Sequence, residues 1–411
     1  VKMKRSYGLL AGLVVSGLTC IQMAGAATNY VDRYGTNPVS KYTNWATAAV
    51  SIQDAVDVAD AGNTVLVSNG VYDTGSKITP SYELTNRVCA TTAIILRSVN
   101  GPNYTSIKGA PAPNGLVGQG GLGTGAVRCV YLSGGASLIG FTLTNGYATT
   151  NGTAFVPNDR GGAGVLVISS GSVSNCVIVG NNGCYRGGGV CLSSGGTLDN
   201  CIISNNFCTS YGGGVYLSTG AKINNCIVVG NLATNFGGGV QMNGGTEANN
   251  CLITGNTNIN QGGGVFAWGS SMKLNSCTIV GNNSGPSHGG GLEFYAGTNI
   301  TLTNCIVWGN TTTLTTSNYY ESTSTAIFSY VCSGPIKAGT GNTGSDPQFV
   351  GQATGNYRLA ANSPCVNAGI YQSWMTSAAD LDGHRRLDKF SGIVDMGCYE
   401  YVPKGTLITV P

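Results

Sequence analysis

The stretch "NNCIVVGNLATNFGGGVQM" (224–242) follows "DNCIISNNFCTSYGGGVYL" (199–217) and precedes "NNCLITGNTNINQGGGVFA" (249–267). Aligned on their glycines, these segments belong to a series with triplets at 162–164 (Gly-Ala-Gly), 187–189, 212–214, 237–239, 262–264 and 289–291. The spacing is 25, 25, 25, 25 and 27 residues. A second rung keeps step with the first: Cys176, Cys201, Cys226, Cys251, Cys277 and Cys305 each stand five residues before Asn181, Asn206, Asn231, Asn256, Asn282 and Asn310. Six copies in phase identify a repeat architecture, in which each copy is one structural unit stacked on the next.

Within each copy, the residues after the glycines alternate between apolar and polar, as in Val215-Tyr216-Leu217-Ser218, and so do those around the cysteine. Short alternating runs bounded by Gly and Asn are strand signals. No window in the repeat has a useful helical period, and the leucine consensus of leucine-rich repeats is missing. The expected fold is therefore all-β: a parallel β-helix of about 25 residues per coil, with coils stacked at the strand spacing of about 4.8 Å. Glycine would serve where the backbone turns or is closely approached. Asn would tolerate left-handed turns and bond to the Asn of the next coil, and Cys would fill a narrow interior.

Upstream, "VYLSGGASLIGFTLTNG" (130–146) fits the repeat with Phe141 on the cysteine rung, and "AIILRS" (93–98) and "TVLVSNGVY" (64–72) read as earlier strands. The segment "AAVSIQDAVDVADAG" (48–62) has apolar residues at helical spacing and is expected to form an amphipathic helix closing the open end. The organisation expected is a leader at 1–26, an N-terminal cap at 27–62, coils from 63 to 310, C-terminal coils and a cap at 311–402, and a tail at 403–411.

Lys2, Lys4 and Arg5, an apolar run from Gly8 to Ile21, and Ala24-Gly25-Ala26 have the layout of a secretory signal. The run is too short for a spanning helix, which needs roughly 20 apolar residues. The leader holds three of the 20 Lys and Arg and none of the 17 Asp and Glu, so the remainder has 17 of each. Electrical neutrality argues against nucleic-acid binding, which depends on neutralising phosphates. An exported chain with no membrane segment after cleavage is expected.

The segment "IQDAVDVADAGNTVLVSNGVY" (52–72), together with the glycine and Asn-Cys rungs, resembles right-handed parallel β-helix proteins of the pectate-lyase-like superfamily. The rungs are also similar to the repeats of polymorphic outer-membrane proteins. "DLDGHRRLDKFSGIVDMGCYEY" (380–401), preceded by "DPQFV" and "NSPCVNAG", resembles the choice-of-anchor Q ending of bacterial secreted β-helix proteins. These resemblances imply a right-handed solenoid, secreted or on the outer surface of a bacterium. Its partner would be a polysaccharide or cell-surface glycan. They do not fix an activity, because one fold hosts lyases, hydrolases and adhesins.

Fourteen cysteines remain after the leader. Stacked rung cysteines would have Cβ atoms near the strand spacing of about 4.8 Å, beyond the usual disulfide range, so a ladder of free thiols is expected. Cys184 with Cys208, and Cys365 with Cys398, are the candidates for cross-links. No CxxC spacing or His partner suggests zinc.

Outward positions after the glycines form two columns: Leu166, Cys191, Tyr216, Gln241, Phe266 and Glu293, and then Ile168, Ser193, Ser218, Asn243, Trp268 and Tyr295. Two readings stand side by side, a platform on which sugar rings stack, or a sheet covered by a loop or partner. Tyr216, Gln241, Phe266, Trp268 and Tyr295 are the candidate carbohydrate contacts, with Arg160 and Arg186 as contacts to an acidic sugar or members of a loop ion-pair network with Asp159. Glu293, with His288 just before its glycine triplet, is the only candidate acid-base pair, and glycoside hydrolysis usually wants two carboxylates. In the C-terminal region Arg386 is expected to pair with Asp395 or Glu400 in a structural cap. Asp380-Leu381-Asp382-Gly383 makes calcium the one cofactor to consider, although residue 391, where an EF-hand would need Glu, is Ser. The functional alternatives are a glycan-binding surface, a polysaccharide lyase or glycoside hydrolase, and a structural adhesin.

Overall fold

The computed structural model describes residues 26–113, 121–149, 157–183, 185–286, 288–387 and 392–403. The leader, Cys184 and most of the tail lie outside the described residues.

One coil shows the construction. Strand β1 (Val215–Leu217) follows a glycine triplet, β2 (Lys222–Asn224) and β3 (Ile227–Val229) follow in turn, and β4 (Leu232–Ala233) leads to the next triplet. Each pairs in parallel with its equivalent one coil on: Val215 with Val240, Lys222 with Glu247, Ile227 with Leu252, and Leu232 with Thr257. Stacking generates four sheets of 10, 11, 10 and 6 strands. We call them the glycine-side, charged, cover-side and short sheets, after β1 to β4 respectively. The interior is a single column of Val, Ile, Leu, Cys and occasional Phe, fully buried from Val31 to Val331.

Two left-handed corners shape each coil. Asn225 (φ 52°) turns the chain from β2 into β3, and Gly230 (φ 65°) turns it from β3 towards β4. At the first corner the left-handed residue is the asparagine preceding the rung cysteine, as at Asn175, Asn200, Asn225, Asn250 and Asn304, and at the second corner Asn205 takes the place of glycine. The rung asparagines are not left-handed, contrary to one part of the expectation, but they do bond from coil to coil as expected and form a buried ladder. Asn231 Nδ2 donates to Asn256 Oδ1 at 2.9 Å and to the Ile203 carbonyl at 2.9 Å, while its backbone N–H donates to the same Asn256 oxygen at 3.0 Å. The pattern repeats at Asn181, Asn206, Asn256 and Asn282, and Asn310 passes it to Asn318. The glycine triplet then has a physical reason. Gly237 is left-handed (φ 64°), a Cβ on Gly238 would collide with the Thr257 carbonyl, and one on Gly239 would come within 2.9 Å of Asn256 Nδ2.

The six rung cysteines are buried free thiols. Cys226 Sγ donates to the Asn224 carbonyl at 3.2 Å, and burial holds the thiols of Cys176, Cys201, Cys251 and Cys305 well above the usual range. Cys365 and Cys398 are not joined. Cys365 packs with Cys332, Leu359 and Met396, while Cys398 packs separately with Leu252, Val280 and Tyr399.

Helix α1 (Ile52–Asp57) covers the N-terminal end with Ile52, Ala55 and Val56, and Ser51 caps it by accepting from Asp54 N at 3.2 Å. It is shorter than its apolar spacing suggests, because Asp60 to Asn63 form a turn with Gly62 left-handed. At the other end the coils continue to Cys332–Ser333. Residues 334–345 then cross the last coil, where Asn342 Nδ2 donates to the Phe328 and Lys337 carbonyls.

The remaining segment does not cap the end. A hairpin (Phe349–Gly351 with Asn356–Leu359) and the chain after it fold back along the outer face of the cover-side sheet, burying Leu252, Val280 and Ile306. Arg386 is the hub. Its guanidinium donates to Asn250 Oδ1 (3.1 Å), the Gly397 carbonyl (2.9 Å) and the Asp395 carbonyl (3.1 Å), and lies 3.1 Å from Glu400 Oε1. The carboxylate partner is therefore Glu400. The Asp395 side chain instead accepts from the Asn367 and Tyr401 amides.

Candidate functional site

The two outward columns of the glycine-side sheet have different fates. Tyr216, Gln241, Phe266 and Glu293 are 7%, 0%, 2% and 3% exposed, whereas Trp268 and Tyr295 are 51% and 44% exposed. The first column is covered by the chain itself. The residues just before the glycines are bridged from coil to coil, Gly161 to Arg186 to Tyr211 to Phe236 to Gln261, and several of their side chains fold over the column. Gln241 is thereby sealed with its carbonyl oxygen lacking a hydrogen-bond donor. Tyr216, Gln241 and Phe266 do not form an open face.

The cover itself is aromatic. Tyr211 stacks on Phe236 at 5.2 Å and 14°, Phe236 meets Phe266 at 4.7 Å, Phe266 meets Tyr295 at 5.9 Å, and Trp268 stands edge-on to Tyr295 at 5.8 Å. Tyr211, Phe236, Phe266, Trp268 and Tyr295 line a shallow depression of about 160 Å³. Such a surface offers π-faces without competing polar groups. Sequence reasoning found Phe266, Trp268 and Tyr295 and missed Tyr211 and Phe236. Their shared slot, one residue before a triplet, was the signal.

The ridge ends in cations. The Arg186 guanidinium lies 5.3 Å from the Tyr185 ring centre and 5.0 Å from that of Tyr216, and Arg160 lies 5.0 Å from the Tyr185 ring. Tyr185 in turn meets Tyr211 at 5.2 Å. Asp159 does not join an ion-pair network with them in the way the sequence suggests. It is buried and accepts from the backbone amides of Glu83 and Leu84. Nearby, Arg128 is wholly buried and donates to the Gly161 and Gly162 carbonyls and to Asn86 Oδ1. Its burial lowers its pKa to about 10, and it carried no sequence signal.

Glu293 and His288 are brought together, with Oε1 3.4 Å from His288 Nδ1 and Oε2 accepting from Gly289 N at 2.7 Å. Burial raises the Glu293 pKa, against the pull of these partners. Both oxygens are thus engaged in holding the glycine turn, an arrangement that explains the pair structurally. In the C-terminal cover, Asp380, Asp382 and His384 lie close together. Asp380 is already saturated by the amides of Asp382, His384 and Glu400, and Asp382 pairs with Arg358. These carboxylates close a turn.

Residues 163–331 match the family model described as the right handed beta helix region. Among solved structures, the chain is similar to the pectate lyase Pel9A, at 15% identity and a TM-score of 0.52, covering 92% of this chain and 97% of that one. It is also similar to a rhamnogalacturonan lyase, at 12% identity and a TM-score of 0.44, covering 91% and 100%. No curated protein matches the sequence. The fold is therefore that of a right-handed parallel β-helix, shared with the pectate lyase structure. At these identities the likeness defines the fold and not the chemistry. No helix among the described residues is long and apolar enough to cross a membrane.

Proposed function

We propose that this chain is an exported glycan-binding protein that stacks polysaccharide on the ridge formed by Tyr211, Phe236, Phe266, Trp268 and Tyr295. The observation that carries the reading is that five aromatics from successive coils share one depression, with two rings about half exposed. Rings at successive coils, spaced by about 4.8 Å, suit an elongated ligand lying along the solenoid. Arg186 at the ridge's end supplies a cation for an acidic group on the same chain. A glycoside hydrolase would place a free carboxylate here. Glu293, the only carboxylate in either outward column, is buried and bonded to Gly289, which supports binding over hydrolysis.

The test is a glycan array probed with the protein and with Trp268→Ala. The variant should lose about 1–2 kcal/mol of affinity for the glycans that stack on the ridge, in line with a lost aromatic contact, with an unchanged melting temperature. Unchanged binding would reject the ridge. Incubating the hits with wild-type protein and with Glu293→Gln, followed by mass spectrometry, should show intact glycan in both. Products that vanish in the variant would establish catalysis instead.

A further inference from the structure

The charged sheet carries a second groove, independent of the ridge. Its outward face holds Lys222, Glu247 and Lys273 in one column and Asp199, Asn224, Asn249 and Asn275 in the next. The second column forms a one-way chain of hydrogen bonds. Asn275 Nδ2 donates to Asn249 Oδ1 (2.8 Å), Asn249 to Asn224 (2.8 Å), and Asn224 to the Asp199 carboxylate (2.6 Å). The C-terminal cover extends this chain, since Gln372 Nε2 donates to Asn275 Oδ1 at 3.3 Å and the Trp374 indole N–H donates to Gln372 Oε1 at 3.0 Å. The strap bearing Trp374 is pinned on both sides. Ile370 exchanges two hydrogen bonds with the Asn304 side chain, at 2.7 and 2.8 Å, and Met375 is fully buried. Between strap and sheet lies a groove of about 470 Å³.

We propose that this groove is a second saccharide site, selective for an uncharged glycan chain, so that one molecule holds two glycan strands on different sheets. The selectivity follows from charge. Glu247 lies between Lys222 at 3.2 Å and Lys273 at 3.4 Å, one carboxylate oxygen to each, so both ammonium groups of the lining are already paired and neither is left to hold an anion. The contacts follow from hydrogen-bond capacity. Each ladder amide uses one donor and one lone pair along the chain and keeps another of each for a ligand, the pairing that adjacent sugar hydroxyls offer. Thr301 and Thr303 add hydroxyls on the same wall. The column spacing, about 4.8 Å, is close to the advance of one pyranose unit in an extended chain. Trp374, its ring fixed by the bond to Gln372, supplies the stacking face at one end without an ordering cost at binding.

The experiment is the same glycan array probed with Trp268→Ala, with Trp268→Ala/Trp374→Ala, and with Trp268→Ala/Asn249→Leu, which leaves the strap intact. Thermal melts confirm folding. The single variant should retain a set of uncharged glycans, and each added substitution should weaken that set at least tenfold. The proposal is overturned if the retained set is empty, contains only acidic glycans, or is unaffected by both second substitutions. Failure of the ridge has a different signature, namely wild-type binding by Trp268→Ala alone, so the two sites are judged separately.

Discussion

The coils and the C-terminal cover both bury polar groups, and they satisfy them by opposite means. In the coils, Asn181 to Asn310 repeat the same bonds six times, each amide serving the coil before it and the coil after it. In the cover, one guanidinium gathers two carbonyls, one amide and one carboxyl from segments as far as 136 residues apart. Repetition distributes the cost of a failure among neighbours, as expected for a quasi-one-dimensional stack, whereas a hub concentrates it. The difference shows that two kinds of stability coexist in one chain.

The largest effect should come from the hub. Arg386→Met leaves Glu400 and the carbonyls buried without their partner, and breaking a buried ionic contact from one side costs about 3–5 kcal/mol. A urea titration monitored by the fluorescence of Trp374, the tryptophan carried by the cover, should show that region detaching while the coils stay folded. Coincident loss of both regions would break the comparison. A smaller effect is expected at Asn231→Ala, which orphans the Asn206 backbone and side-chain donors. The loss is about 1–3 kcal/mol, and hydrogen exchange should show it confined to the adjacent coils. Spread of the loss to α1 would mean that the ladder is one cooperative unit.

A third test, of the cover, is a pH slope. Burial raises the Glu400 pKa from 4.5 to about 8, outweighing the pull of Arg386. Between these values the folded state binds more protons than the unfolded state, so stability is full below about pH 4.5 and declines as pH rises towards 8. Asp395 and Glu293 are also raised by burial and act with the same sign. Thermal melts across this range should show a shallower slope in Glu400→Gln. An unchanged slope would place the titration outside the cover.

The coils were legible in the sequence because every structural demand recurs: glycine at each crowded triplet, Cys on each inward rung, Asn on each ladder step. The cover was not. Its contacts, such as Asn250 with Arg386 and Asn304 with Ile370, occur once each across long separations, and one occurrence leaves no period to read. The site lay between these extremes. Alternation correctly placed Tyr216, Gln241 and Phe266 outside the solenoid interior, but outward means exposed only where nothing folds over. Tyr211 and Phe236 do fold over, and their slot before the glycines holds Arg186, Gln261 and His288 in other coils, so no residue type repeats there.

The thiol rung has a consequence for where such a protein can persist. Because Cys176 to Cys305 are unlinked and sealed inside the stack, a reductant finds no bond along that rung to cleave, and a dissolved oxidant finds no sulfur within reach. Cohesion of the coils is thereby decoupled from the electron balance of the surroundings.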